Sequence, residues 1–307
     1  MRKLLFLLLL LGFLSPLKAQ ETHLFAHRDT CDLYLDIFRP ADGAPTTLQG
    51  IQKPVILHVF GGGFVQGERS GSFIRSWIDI LNKDGYTVVT VDYRLGMKGY
   101  KVKRGLSGLM KASERFELSQ EVGKEDVFAA IRFLADNPSL DVPVDNLVLA
   151  GSSAGAIITL ASAFALANGT AEGLPEGFAL KGAMSFAGAI ISNSGSPQFK
   201  AAPCPLLLMH GTADGAVAYN KLAVFGKGLW GSDYLARQLK RKGFDNYCIY
   251  RFKDRTHDVA AYHHVLWPLE KQFLEENVIL GHKRTVDAVV DDESLPTWGG
   301  ISLKDIY

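Results

Sequence analysis

Short runs of unbroken apolar residues recur along the chain, separated by stretches with helical spacing. Pro54–Phe60 (PVILHVF), Thr87–Val91 (TVVTV) and Asn146–Ala150 (NLVLA) are almost wholly apolar. A run without polar alternation marks a strand covered on both faces, as in a parallel sheet. Ala183–Ala187, Leu206–Met209 and Tyr247–Phe252 continue the series, whereas Leu33–Phe38 alternates and predicts an antiparallel strand near the start. Periodicity predicts helices over Ser72–Asp84, Lys124–Asp136, Ala156–Ala167, Gly231–Lys242 and His263–Glu276. Alternating strands and helices predict an α/β fold, a mostly parallel sheet with helices on both faces. No internal repeat or low-complexity linker divides the chain, so residues 20–307 read as a single domain.

Three stretches fall outside this rhythm. Gly96–Gln120 is charged and glycine-bearing and links a strand to the helix expected from Lys124; two readings are open, a lid or cap insertion and a surface excursion. Residues 281–307 lack periodicity and read as an extension wrapping over the surface. At the start, Arg2 and Lys3 precede an apolar run, Leu4–Leu14, and then Ser15-Pro16-Leu17-Lys18-Ala19-Gln20. A charged start, a short apolar stretch and a small residue before a polar one describe a secretory signal peptide over residues 1–19. A membrane span needs about 20 apolar residues, more than this run supplies. The expectation is an exported protein, periplasmic or secreted.

Removing residues 1–19 takes away Arg2, Lys3 and Lys18, so the 33 basic residues become 30 against 32 acidic ones. A net charge that close to neutral does not suggest nucleic acid or an anionic membrane as partner, which would call for a basic patch or stripe. With 47% hydrophobic residues it can build one sizeable core. Three cysteines, Cys31, Cys204 and Cys248, leave at least one thiol unpaired. A Cys204–Cys248 bridge is open, because both stand at the starts of consecutive strands.

The candidate chemistry begins at Leu149–Gly155, LAGSSAG, where two serines compete. A serine hydroxyl becomes a nucleophile only when a base takes its proton. A tight strand-to-helix turn exposes that oxygen, and the cramped backbone wants glycine two positions before and two after. Ser153 has Gly151 and Gly155 at those places, whereas Ser152 has Ala150 and Ala154. Ser153 is therefore the candidate nucleophile. Upstream, HVFGGGF (His58–Phe64) ends a strand in three glycines, where bare amides of Gly62 and Gly63, with that of Ala154, suit an oxyanion hole. Downstream, Asp214 follows the strand Leu206–Met209, and His257 follows the last predicted strand in a short polar loop. His210 reads as part of the turn beside Asp214; Asp233, Asp254 and Asp258 are weaker candidates for the acid.

Together these landmarks resemble the α/β-hydrolase family, in particular its carboxylesterase and hormone-sensitive-lipase-like branches. The resemblance runs from about Asp32 to Glu276 and rests on Gly61-Gly62-Gly63, GSSAG, HGTAD, THD and VDYRL (Val91–Leu95). It implies the α/β-hydrolase fold with an eight-stranded sheet, and catalytic Ser153, Asp214 and His257 in the chain order of that fold. Phe60 stands where the lipase-like branch has histidine, and Lys221–Ser232 is an added segment between acid and base. The implied activity is a serine carboxylesterase acting on short acyl esters, with acetylated or acylated carbohydrates as one substrate class. Neither metal nor cofactor is implied, and the expected partner is a small-molecule or carbohydrate ester. A prolyl-oligopeptidase-like peptidase and a catalytically silent binding module on the same fold are the rival readings.

Overall fold

The computed structural model describes residues 20–297. The signal peptide expected over residues 1–19 lies outside the described residues, as does the end of the C-terminal extension. The centre is a nine-stranded sheet: β1 (Glu21–Arg28), β2 (Cys31–Phe38), β3 (Val55–Val59), β4 (Val88–Val91), β5 (Leu147–Ser152), β6 (Gly182–Phe186), β7 (Leu206–Gly211), β8 (Tyr247–Phe252) and β9 (Thr285–Val290). Their spatial order is β1-β2-β4-β3-β5-β6-β7-β8-β9. β1 and β2 join antiparallel, and every pairing from β4 to β9 is parallel.

The sheet has one strand more than expected. Both outermost strands escape the apolar signature, because each is half-exposed along much of its length. β9 lies within the C-terminal stretch read as aperiodic, and it pairs with β8 from Tyr247↔Thr285 to Phe252↔Val290. By contrast, β3, β4, β5, β6 and β7 are buried at every position, which is why their sequences carry no alternation.

Helices α1 (Ser72–Lys83), α2 (Leu106–Asp136), α3 (Ala154–Asn168), α4 (Ser232–Arg241) and α5 (Trp267–Phe273) cover the two faces. On one face Leu57, Val59, Leu149 and Val91 pack with Val127 and Ile131 of α2 and Ile157 and Ile158 of α3. On the other, Ile56, Val148, Met184 and Met209 pack with Trp77 and Leu81 of α1 and Phe273 of α5. The helix expected from His263 starts only at Trp267; His263 itself is buried in the turn before it.

The stretch Gly96–Gln120 is not a free-standing excursion: from Leu106 onward it forms the first half of α2. Its buried positions are Gly108, Ala112, Ser119 and Gln120, small or polar residues that hide the helical period from a hydrophobicity reading. Gln120 holds its place by hydrogen bonds: its Oε1 accepts from Ile191 N at 2.8 Å and its Nε2 donates to Ile191 O at 3.1 Å. The cysteines are all free. β7 and β8 are neighbours as the bridge required, but Cys248 sits in the layer of Leu207 and Met209, whereas Cys204 packs in the layer of Leu206 and Leu208. The sheet lies between them.

A small cluster of polar groups is enclosed in the apolar layer under α1. Trp77 Nε1 donates to Glu270 Oε2 at 2.7 Å, with the rings of His58 and His263 alongside. Burial pushes the Glu270 carboxyl well above its ordinary range, against the opposing pull of the Trp77 bond. Burial likewise holds His58 down at about 3.

Candidate active site

The glycine stretch, the serine, Asp214 and His257 stand just past the carboxyl ends of parallel strands. Gly61–Gly63 follow β3, Ser153 follows β5, Asp214 follows β7 and His257 follows β8. Those ends share one edge of the sheet, where crossover loops collect in such folds.

Ser153 occupies the turn from β5 into α3 with φ 51° and ψ −117°, a region ordinary side chains avoid. Such a residue carries about 1–3 kcal/mol of backbone strain, which the surroundings must hold in place. They do so from both sides: Ser153 N donates to Phe186 O at 2.9 Å, and Ser153 O accepts from Ile157 N at 3.0 Å. The flanking glycines are demanded by close approach. A Cβ on Gly155 would stand 2.1 Å from Val59 O, and one on Gly151 would stand 2.3 Å from Gly155 O. Ser152, one residue earlier, is still in β5 and pairs with Phe186.

Three side chains from distant segments converge here. His257 Nε2 lies 2.8 Å from Ser153 Oγ, and its Nδ1 lies 2.7 Å from Asp214 Oδ2. The His257 and Asp214 side chains are buried. Asp214 is fixed in turn, since its Oδ1 accepts from Ala216 N at 2.8 Å and Val217 N at 2.9 Å. Burial raises the Asp214 carboxyl, but hydrogen bonds from His210 and His257 overcome that and leave it well below the ordinary carboxylate range. It is thus a fixed negative charge behind His257. The weaker acid candidates are engaged elsewhere. Asp233 pairs with Arg237 and Arg251, Asp258 accepts from Thr256 Oγ1 at 2.9 Å, and Asp254 is exposed.

His210, expected in the turn beside Asp214, lies instead within β7, paired with Arg251 of β8, and reaches the carboxylate from the strand's end. Its Nε2 sits 3.2 Å from Asp214 Oδ2 and 3.1 Å from Val217 O, and its Nδ1 is 2.9 Å from Ser232 Oγ. Facing two acceptors, Nε2 carries the hydrogen, so His210 donates to the same carboxylate oxygen that faces His257. The i, i+4 spacing of HGTAD was the only sequence signal for it.

The glycine stretch lies against the serine turn. Gly62 and Gly63 adopt φ of 115° and 64°, and Gly62 O accepts from both Val65 N and Gln66 N in a tight return. Phe60 stacks on Tyr93 at 4.5 Å, and Tyr93 Oη donates to Phe60 O at 3.1 Å. That gives VDYRL a structural meaning: Tyr93 anchors the glycine loop, while Asp92 and Arg94 form ion pairs with Arg69 and Asp126. Gly63, Ser153 and Ala154 line one cavity of about 410 Å³, which Asp214 also borders. Gly62 is not part of that lining. Ala154, the first residue of α3, has an amide with no intrahelical carbonyl to meet. No cluster of three or more His, Cys, Asp or Glu side chains able to hold a metal occurs among the described residues.

A sequence model described as the carboxylesterase family matches residues 15–201. Among solved structures, the chain is similar to Thermogutta terrifontis esterase 2 phosphoramylated by tabun, at 20% identity and TM-score 0.59 over 86% of this chain and 97% of that one. The propionate-bound and butyrate-bound forms of that thermophilic esterase match at 20% identity and TM-score 0.58, over 86% of this chain and 97% and 96% of theirs. At that identity the likeness is one of fold. No curated protein sequence matches the chain.

Proposed function

The chain belongs to the carboxylesterase family, and from that premise we propose that it is an exported serine carboxylesterase that cleaves esters of short acyl groups through an acyl-enzyme. The observation that carries the proposal is the continuous relay Ser153–His257–Asp214, with contacts of 2.8 and 2.7 Å around a serine on a strained turn.

In this reading His257 Nε2 takes the Ser153 hydroxyl proton as Oγ bonds to the ester carbonyl carbon. The carbonyl oxygen becomes an oxyanion held by the amides of Gly63 and Ala154, with Gly62 shaping and supplementing that cradle; one such donor lowers a barrier by about 3–4 kcal/mol. The tetrahedral centre collapses, the bond to the alcohol oxygen breaks, and His257 returns the proton to the departing alkoxide. Water then repeats the sequence on the acyl-enzyme, releasing the acid and restoring Ser153. Asp214, kept ionised, holds Nδ1–H and stabilises the imidazolium in both halves. The cavity beside Ser153 has room for a short acyl group.

A panel of p-nitrophenyl esters from acetyl to decanoyl, run beside acetylated sugars and peptide anilides, tests this reading. It predicts turnover of the short p-nitrophenyl esters and none of the anilides. Faster anilide cleavage would assign a peptidase, and absence of all turnover would assign a silent binding module. Export is supported by Arg2, Lys3 and the apolar run Leu4–Leu14. N-terminal sequencing of the protein recovered outside the cytoplasm is expected to begin at Gln20, and an intact Met1 there would refute cleavage.

A further inference from the structure

We propose that the alcohol half of the substrate carries a hydrocarbon tail, and that the tail lies in an apolar trough leading away from Ser153. This rests on the short-acyl esterase reading above. The trough, about 540 Å³, runs between the first turns of α2 and the added segment Lys221–Ser232. That segment forms a hairpin, strands Lys221–Val224 and Lys227–Gly231, which pairs with Ala189–Ser192 in a separate three-stranded sheet.

Continuity with the catalytic cavity is the first ground. Phe116, Ile191, Leu222 and Leu229 line both spaces, so a chain leaving the ester at Ser153 passes between the same side chains into the trough.

Its chemistry is the second. Ser113 and Lys227 are the polar side chains in its lining, and both have partners: Ser113 Oγ donates to Asn193 Oδ1 at 2.7 Å, and Lys227 pairs with Glu114 at 3.5 Å. A sugar hydroxyl entering there would lose water without gaining a ready partner, whereas methylenes gain by burial.

The third ground is that the walls are built. Asn193 N donates to Glu117 Oε1 at 2.8 Å and its Nδ2 to Glu117 Oε2 at 2.7 Å, and Gln120 grips Ile191 at both backbone groups. These polar ties brace α2 against the small sheet. Yet Leu109 and Phe225 remain 61% and 90% exposed beside the opening, an arrangement unfavourable in water unless something apolar lies across them.

The test compares two homologous series at concentrations below aggregation: alkyl acetates from ethyl to octyl, and ethyl esters of acids from acetic to octanoic. A methylene moved from water into the trough is expected to raise kcat/KM by roughly two- to fourfold, the lower value allowing for its open side. The alkyl acetates should therefore climb steeply with length. Leu109→Glu and Phe225→Glu, both at exposed positions, should flatten the climb, read as the octyl-to-ethyl ratio, with thermal midpoints checking that each variant is folded. A flat or falling alkyl series overturns the trough as a subsite. A climb in the acid series instead would overturn the short-acyl reading and move the tail to the acyl half. If the alkyl series stays flat below aggregation and climbs only when the concentration is then raised past it, exposed Leu109 and Phe225 would be assigned to a lipid surface and the proposal overturned.

Discussion

Replacing Asp214 by asparagine changes one atom, and the surroundings dictate the consequence. The Oδ1 position accepts from Ala216 N and Val217 N at 2.8 and 2.9 Å, so the amide oxygen of asparagine must stay there. Its NH₂ then falls where Oδ2 was, 2.7 Å from His257 Nδ1 and 3.2 Å from His210 Nε2. A donor facing Nδ1 forces the hydrogen of His257 onto Nε2, which points it at Ser153 Oγ and removes the base. The imidazolium formed during turnover also loses its counter-charge. An imposed wrong tautomer costs about 10⁴-fold in kcat in the well-studied Ser-His-Asp proteases. The expected loss here is about 10³- to 10⁴-fold, or roughly 4–5 kcal/mol of barrier. Both backbone bonds to Oδ1 survive, so the variant should fold, with a lower melting point because the new NH₂ also faces the His210 Nε2 hydrogen. The assay is steady-state kcat on p-nitrophenyl acetate, with a thermal melt beside it. A folded Asp214→Asn enzyme within tenfold of wild type would refute the role assigned to Asp214.

Ser153→Ala should lower kcat by about 10³-fold or more and Ser152→Ala by less than about tenfold, read in the same assay; the reverse order would move the nucleophile to the strand. Gly155→Ala places a Cβ 2.1 Å from Val59 O, so it should destabilise by about 1–3 kcal/mol and lower kcat together, measured by urea midpoint and kinetics; a variant as stable as wild type would show the turn is slack. Glu270 has a raised folded pKa, so its contribution is present below its ordinary value of 4.5 and is lost as pH rises through the folded value. Glu270→Gln mimics the neutral acid, so urea midpoints from pH 4 to 8 should shift increasingly in favour of the variant; a difference independent of pH would mean the carboxyl is not held neutral.

The central strands were legible because burial on both faces leaves nothing polar to interrupt them. The half-exposed outer strands, Glu21–Arg28 and Thr285–Val290, were not. The first half of α2 was hidden by an inverted pattern: Gly108, Ser119 and Gln120 face inward, and Leu106, Leu109 and Leu118 face out. Strand ends and glycine spacing pointed to Ser153, Asp214 and His257, since each choice needed only local chemistry. His210 needed three dimensions, because its role depends on which carboxylate oxygen its ring meets after the turn closes. The same holds for the trough, whose walls come from segments far apart in the chain.

The most direct test of the relay is covalent. A fluorophosphonate probe reacts only with a serine whose proton has a place to go, so treatment followed by peptide mass spectrometry reads the mechanism at one atom. One adduct per chain, on Ser153, appearing in step with loss of esterase activity, is the predicted result. Activity that persists without an adduct, or an adduct on Ser152, would contradict it.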